Sequence, residues 1–144
     1  MYLNISKIVF LSVLCFLAYQ DYRKREVSLA VIIIWGVFGV IFRLTNGETQ
    51  WLSVLAGAGI GGVFLLLSIV TKGKVGAGDA WILAVSGVYL EFWENLNMCI
   101  LALYLAGVGA LLWYWMKRCK RTDTMPFVPF LLAGYLILLW KHGG

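Results

Sequence analysis

Along this chain apolar residues come in long unbroken runs, and polar residues gather in short clusters between them. Six runs can be drawn: one ending at about Gln20, then roughly Val27 to Leu44, Trp51 to Val70, about Gly78 to Trp93, Leu96 to Met116 and Met125 to Trp140. The third is uncharged and has about the ~20 residues that cross a hydrocarbon core of ~30 Å. Backbone groups in lipid must find partners inside the structure, and unbroken runs do not show the alternation of a strand, so the runs predict helices. The pattern therefore predicts an all-α polytopic membrane protein with six transmembrane helices. These fill residues 1–144 as a single domain, without a linker or a soluble extension.

Composition supports lipid as the solvent. Apolar residues make up 62% of the chain and charged residues only 13%, about half the ~25% charged residues of a soluble domain. The first run carries Lys7 ahead of an apolar stretch, as a signal peptide would. Tyr19-Gln20-Asp21 offers no small-residue cleavage site, so the run is read as the first span.

Charge adds a direction. Arg23, Lys24 and Arg25 fall in the first loop, Lys72 and Lys74 in the third, and Lys117, Arg118, Lys120 and Arg121 in the fifth. That is nine of the twelve basic residues, with Lys7, Arg43 and Lys141 on the opposite side. The positive-inside rule makes the odd-numbered loops cytoplasmic and puts both termini on the non-cytoplasmic side. The net charge of +5 is then a topology signal, and no nucleic-acid partner is expected. Trp35, Trp51, Trp93 and Trp140 are read as interfacial anchors. Gly57 and Gly61 form a GxxxG pair, read as tight internal packing in preference to dimerisation. Cys15, Cys99 and Cys119 share no CxxC spacing and His142 is the single histidine, so neither a metal site nor a cofactor is expected.

Among the seven acidic residues, Glu48, Glu91 and Glu94 fall in outside loops, while Glu26 and Asp123 accompany basic loop residues; solvation is the ordinary reading for all five. Asp21 and Asp79 differ. Topology brings them to the same depth on the cytoplasmic side, and ionisable groups at membrane depth are functional candidates by default. Gly76 and Gly78 precede Asp79, and are expected to leave the backbone free to adopt positive φ and to let another chain approach closely, with Asp79 opening a helix. Two neighbouring carboxylates can share one proton, so that one accepts a proton from water while the other donates to a carbonyl oxygen. The same pair could instead bind a cation or proton in a small transporter or channel, or survive in an inactive scaffold. No similarity between residues 1–72 and 73–144 suggests a transporter repeat.

Three stretches carry a family resemblance: Asp21-Tyr22-Arg23-Lys24-Arg25-Glu26-Val27-Ser28, Gly76-Ala77-Gly78-Asp79, and Met125-Pro126-Phe127-Val128-Pro129-Phe130. Together they resemble type IV prepilin peptidases, which with the archaeal preflagellin peptidases form the GxGD aspartyl proteases. The resemblance implies six helices, with Asp21 and Asp79 as the catalytic pair and Gly76 and Gly78 in the active-site loop. It implies a cytoplasmic-membrane enzyme that removes a short basic leader, ahead of an apolar helix, from pilin-like precursors at the cytoplasmic face. The chain departs from the common pattern at Val27-Ser28-Leu29, where many members have Ile-Pro-Asn, and at Trp81, where many have lysine. The CxxC-bearing segment of the bifunctional members has no counterpart here, so N-methyltransferase activity is not expected.

Overall fold

In a computed structural model, which describes residues 2–24, 26–47, 50–73, 76–116 and 126–143, all regular structure is helical. The elements are α1 (Tyr2–Lys24), α2 (Leu29–Thr45), α3 (Trp51–Val70), α4 (Ala77–Trp115) and α5 (Val128–Gly143). Several residues weighed in the sequence lie outside the described ones: Arg25, Glu48, Lys74, Asp123, Met125, Cys119 and the basic residues of the fifth loop.

Five elements replace the six runs because α4 joins the fourth and fifth. It is not one straight rod. Glu91 has φ 62° and ψ −171°, outside helical space. The Asn95 side-chain amide donates to the Leu83 carbonyl at 3.0 Å, whereas residues twelve apart on a continuous helix are separated by about 18 Å. The chain therefore doubles back at Glu91, dividing α4 into antiparallel segments, α4a (77–90) and α4b (92–115).

Arg43 secures that reversal. Its guanidinium donates to the Val88 carbonyl and, at 3.2 Å, to the Tyr89 carbonyl, and it pairs with Glu91 Oε1 at 3.3 Å. The last carbonyls of α4a have no intrahelical partner, and a cation at a helix C-terminus also meets the negative end of its dipole. At the start of α4b the Phe92 N–H donates to Ser53 Oγ at 3.4 Å. Glu91 is thus an ion-pair partner of a buried arginine, which corrects its reading as a solvated loop acid.

Small residues explain how α3 meets α4. A Cβ on Gly61 would lie 2.2 Å from the Ala84 backbone nitrogen, and one on Gly87 would lie 2.2 Å from the Gly57 carbonyl carbon. The GxxxG pair is consumed by this internal contact. Asn95, fully buried, then bridges the seam by donating to the Gly57 carbonyl at 2.9 Å, and Ser86 Oγ stands 2.7 Å from Asn95 Oδ1. Direct polar links of this kind fasten helices where lipid supplies no hydrophobic drive.

The aromatic centre is built by Phe10, whose ring lies 5.1 Å from Trp35 and 4.6 Å from Tyr135. Trp35 is buried and stacks on Tyr89, so it is a core residue and not an interfacial anchor, whereas Trp93 and Trp140 are well exposed. Phe10 meeting Tyr135, and Asp21 meeting Val128, make α1 and α5 antiparallel. The start of α1 and the end of α5 consequently lie at the end of the bundle opposite Asp21.

The outside of the bundle is rich in aliphatic and aromatic side chains. Ile34 on α2, Leu52 and Ile69 on α3, and Leu111 on α4b are among many large apolar side chains left uncovered. Large apolar side chains uncovered on every helix are unusual for a water-soluble monomer and suit hydrocarbon. By length and composition, Ile5–Lys24, Trp51–Val70 and Ala77–Trp115 qualify to cross a membrane; Leu29–Thr45 and Val128–His142 are apolar but shorter.

Candidate functional site

Asp21 occupies the last turns of α1 and is only 7% exposed. A buried carboxylate needs donors, and one comes from the far end of the sequence: the Val128 N–H donates to Asp21 Oδ2 at 3.1 Å. Val128 is the first residue of α5, whose leading N–H groups have no intrahelical acceptor. Pro129 follows at a position where a missing N–H costs the helix nothing. The Phe127 carbonyl accepts the first bonds of the helix, from Phe130 at 2.9 Å and Leu131 at 3.2 Å. The Pro126-Phe127-Val128-Pro129 stretch therefore has a physical purpose, which is to start a helix against Asp21.

Asp79 stands in the first turn of α4a. The helix is capped by Gly76, with φ −64° and ψ 125°, so Asp79 is the third helical residue and not the cap itself. Neither motif glycine is among the described residues with positive φ, which corrects that part of the sequence reading. Gly76 lies close beneath the catalytic candidate: a Cβ there would be 2.8 Å from Asp79 Oδ2, the end of a side chain that would have to shift to admit it. At Gly78 a Cβ would lie 3.7 Å from Val27 Cβ, an ordinary contact. The two glycines of the motif are thus unequal.

The structure brings all four expected positions to one end of the bundle. Asp21, Gly76, Gly78 and Asp79 line a single cleft of ≈ 360 Å³ together with Glu26, Val27 and Trp81. Glu26, expected to be solvated, is exposed and also reaches this wall as a third carboxylate.

Both departures from the family pattern fall here. The Ser28 N–H donates to Gln20 Oε1 at 3.1 Å, tying the entry of α2 back to α1. A proline at this position has no N–H, so this link belongs to chains with another residue there. Trp81, two residues beyond Asp79, lines the cleft with an indole where many members carry an ammonium group. The sequence offered no sign of the Val128 contact beyond the paired prolines that flank a helix start.

No curated protein and no solved structure matches the chain. A family model, that of the type IV leader peptidase family, matches residues 8–114, which include the cleft residues of α1, α2 and α4 but stop short of Val128. The chain belongs to the type IV leader peptidase family.

Proposed function

We propose that this protein is a membrane aspartyl endopeptidase that removes the short basic leader of pilin-like precursors at the cytoplasmic face of the inner membrane. The observation that carries the reading is one cleft holding Asp21 and Asp79, delivered by α1 and α4a from positions 58 residues apart. Six membrane crossings, with α4a and α4b as separate spans and both termini outside, suit the reversal at Glu91 and the basic character of the loops at the cleft end.

In this mechanism the pair shares a proton. The ionised carboxylate takes a proton from water as the water oxygen attacks the scissile carbonyl. The protonated partner gives its proton to the carbonyl oxygen, forming a neutral gem-diol. Collapse of the gem-diol breaks the C–N bond, with a proton passing to the leaving amine and the pair returned to its starting state. The Val128 N–H holds Asp21 in place through this cycle, and the bare α-carbon of Gly76 leaves the Asp79 carboxylate its position over the start of α4a.

The test is co-expression of pilin-like precursors with and without this protein, followed by N-terminal sequencing. Loss of the leader at one site, dependent on the protein, is the expected result. Intact precursor together with proton- or cation-coupled flux in liposomes would favour a transporter instead.

A further inference from the structure

Beside the aspartate cleft runs a second depression of ≈ 430 Å³, between α2 and α4a. Its walls include Ile33, Val37 and Ile41 from α2 and Trp81, Val85 and Val88 from α4a; every lining side chain is aliphatic apart from the indole. Gly36 forms part of the floor, where a Cβ would press to 3.1 Å from Val85 Cγ2. Ile33, Val37 and Ile41 are more than half exposed, so the trough opens outward onto the apolar surface of the bundle. Along α2 it extends from Ile32 to Ile41, a rise of about 14 Å, or between two and three helical turns.

Trp81 belongs to both depressions, lining the trough on one side and the aspartate cleft on the other. A polypeptide whose scissile bond lies between Asp21 and Asp79 and which then passes Trp81 enters a trough with no polar group to offer it. Its backbone must satisfy itself there, which requires a helix, and its side chains must be apolar. We propose that the α2–α4a trough seats the membrane-embedded helix of the precursor, and that Trp81 is the specificity-determining residue at which the substrate unwinds from that helix into the cleft. This rests on the proteolytic reading and assigns a route for its substrate. An indole suits such a junction because it joins an apolar body to a polar N–H.

The experiment fills the trough from its open side. Val37→Trp and Ile41→Trp, compared with Leu52→Trp on the exposed face of α3, are assayed in liposomes on a full precursor and on a short peptide that spans the cleavage site but lacks the helix. The trough variants are expected to raise KM for the full precursor by about tenfold, with kcat and the short peptide little changed, since uniform binding is what they remove. Leu52→Trp should match wild type on both substrates. A photo-crosslinker at Val37 in the Asp79→Asn protein should attach to the helix of the precursor. Equal KM values for all the variants, or crosslinks confined to lipid or to a second copy of this chain, would overturn the proposal. Because crosslinking requires no turnover, docking and proteolysis can fail separately.

Discussion

Replacing Gly76 with alanine places a methyl carbon 2.8 Å from Asp79 Oδ2, where ordinary contact begins at 3.4 Å. The backbone at Gly76, φ −64° and ψ 125°, is open to any L residue, so the change brings no backbone strain. Alanine should even stabilise the fold slightly, by about 0.4–1 kcal/mol, through the unfolded chain. The conflict is with one flexible carboxylate, which must move by about 0.6 Å to restore contact distance. Misplacing a reacting group by about 1 Å can cost ~10²-fold in rate, so a loss of about 10- to 100-fold is expected, or ~1.4–2.7 kcal/mol in the barrier. Gly78→Ala serves as the internal control, since its Cβ has 3.7 Å to Val27 and should leave the rate within a few-fold of wild type. Initial rates of leader removal, with equal amounts of each purified variant in liposomes and thermal unfolding followed in parallel, separate catalysis from stability. Equal damage from both substitutions, or an undiminished rate for Gly76→Ala, would refute the account of this loop.

Other consequences can be checked independently. Asn95→Leu removes the side chain that joins the Gly57 carbonyl, the Leu83 carbonyl and Ser86, leaving Ser86 with only its own bond to Leu83 at 2.9 Å, so unfolding in mixed micelles should show a loss of about 1–3 kcal/mol; an unchanged midpoint would remove Asn95 from the account of the α3–α4 seam. Val128→Pro deletes the N–H that Asp21 accepts and exchanges a buried valine for a ring of similar size, at a helix start where proline is welcome, and should lower cleavage by about tenfold with the helical content retained. A wild-type rate for that variant would make the contact dispensable. Cys119 lies within the most basic stretch of the sequence, so an impermeant thiol reagent should label it only after the membrane is opened; labelling in intact cells would reverse the proposed orientation.

Much of the architecture was legible because lipid imposes simple rules. Apolar runs had to be helices, and short polar clusters between them had to be turns. The break between the fourth and fifth runs was legible within a few residues of Glu91, but not what fastens it, because Arg43, Glu91 and Ser53 are far apart in sequence and look like ordinary loop and interface residues singly. Trp35 misled for a related reason: tryptophan suits an interface and a core equally, and only packing by Phe10 and Tyr89 decides between them. At the site, Asp21, Gly76, Gly78 and Asp79 stood out because carboxylates and a glycine pair at a helix start are rare at membrane depth. Val128 could not stand out, since what it contributes is a backbone N–H, a group every residue but proline possesses.

The central claim is that Asp21 and Asp79 together hydrolyse a precursor. Asparagine is close in shape to aspartate but cannot cycle a proton, so the most direct measurement is the cleavage rate of a pilin-like precursor by purified Asp21→Asn, Asp79→Asn and the double variant in liposomes, with helical content checked by circular dichroism. Each single variant should be folded and essentially inactive, and the double variant scarcely worse, because the two groups act as a unit. If either single variant kept more than about a tenth of the wild-type rate, a barrier change below ~1.4 kcal/mol, the two-aspartate mechanism would be contradicted.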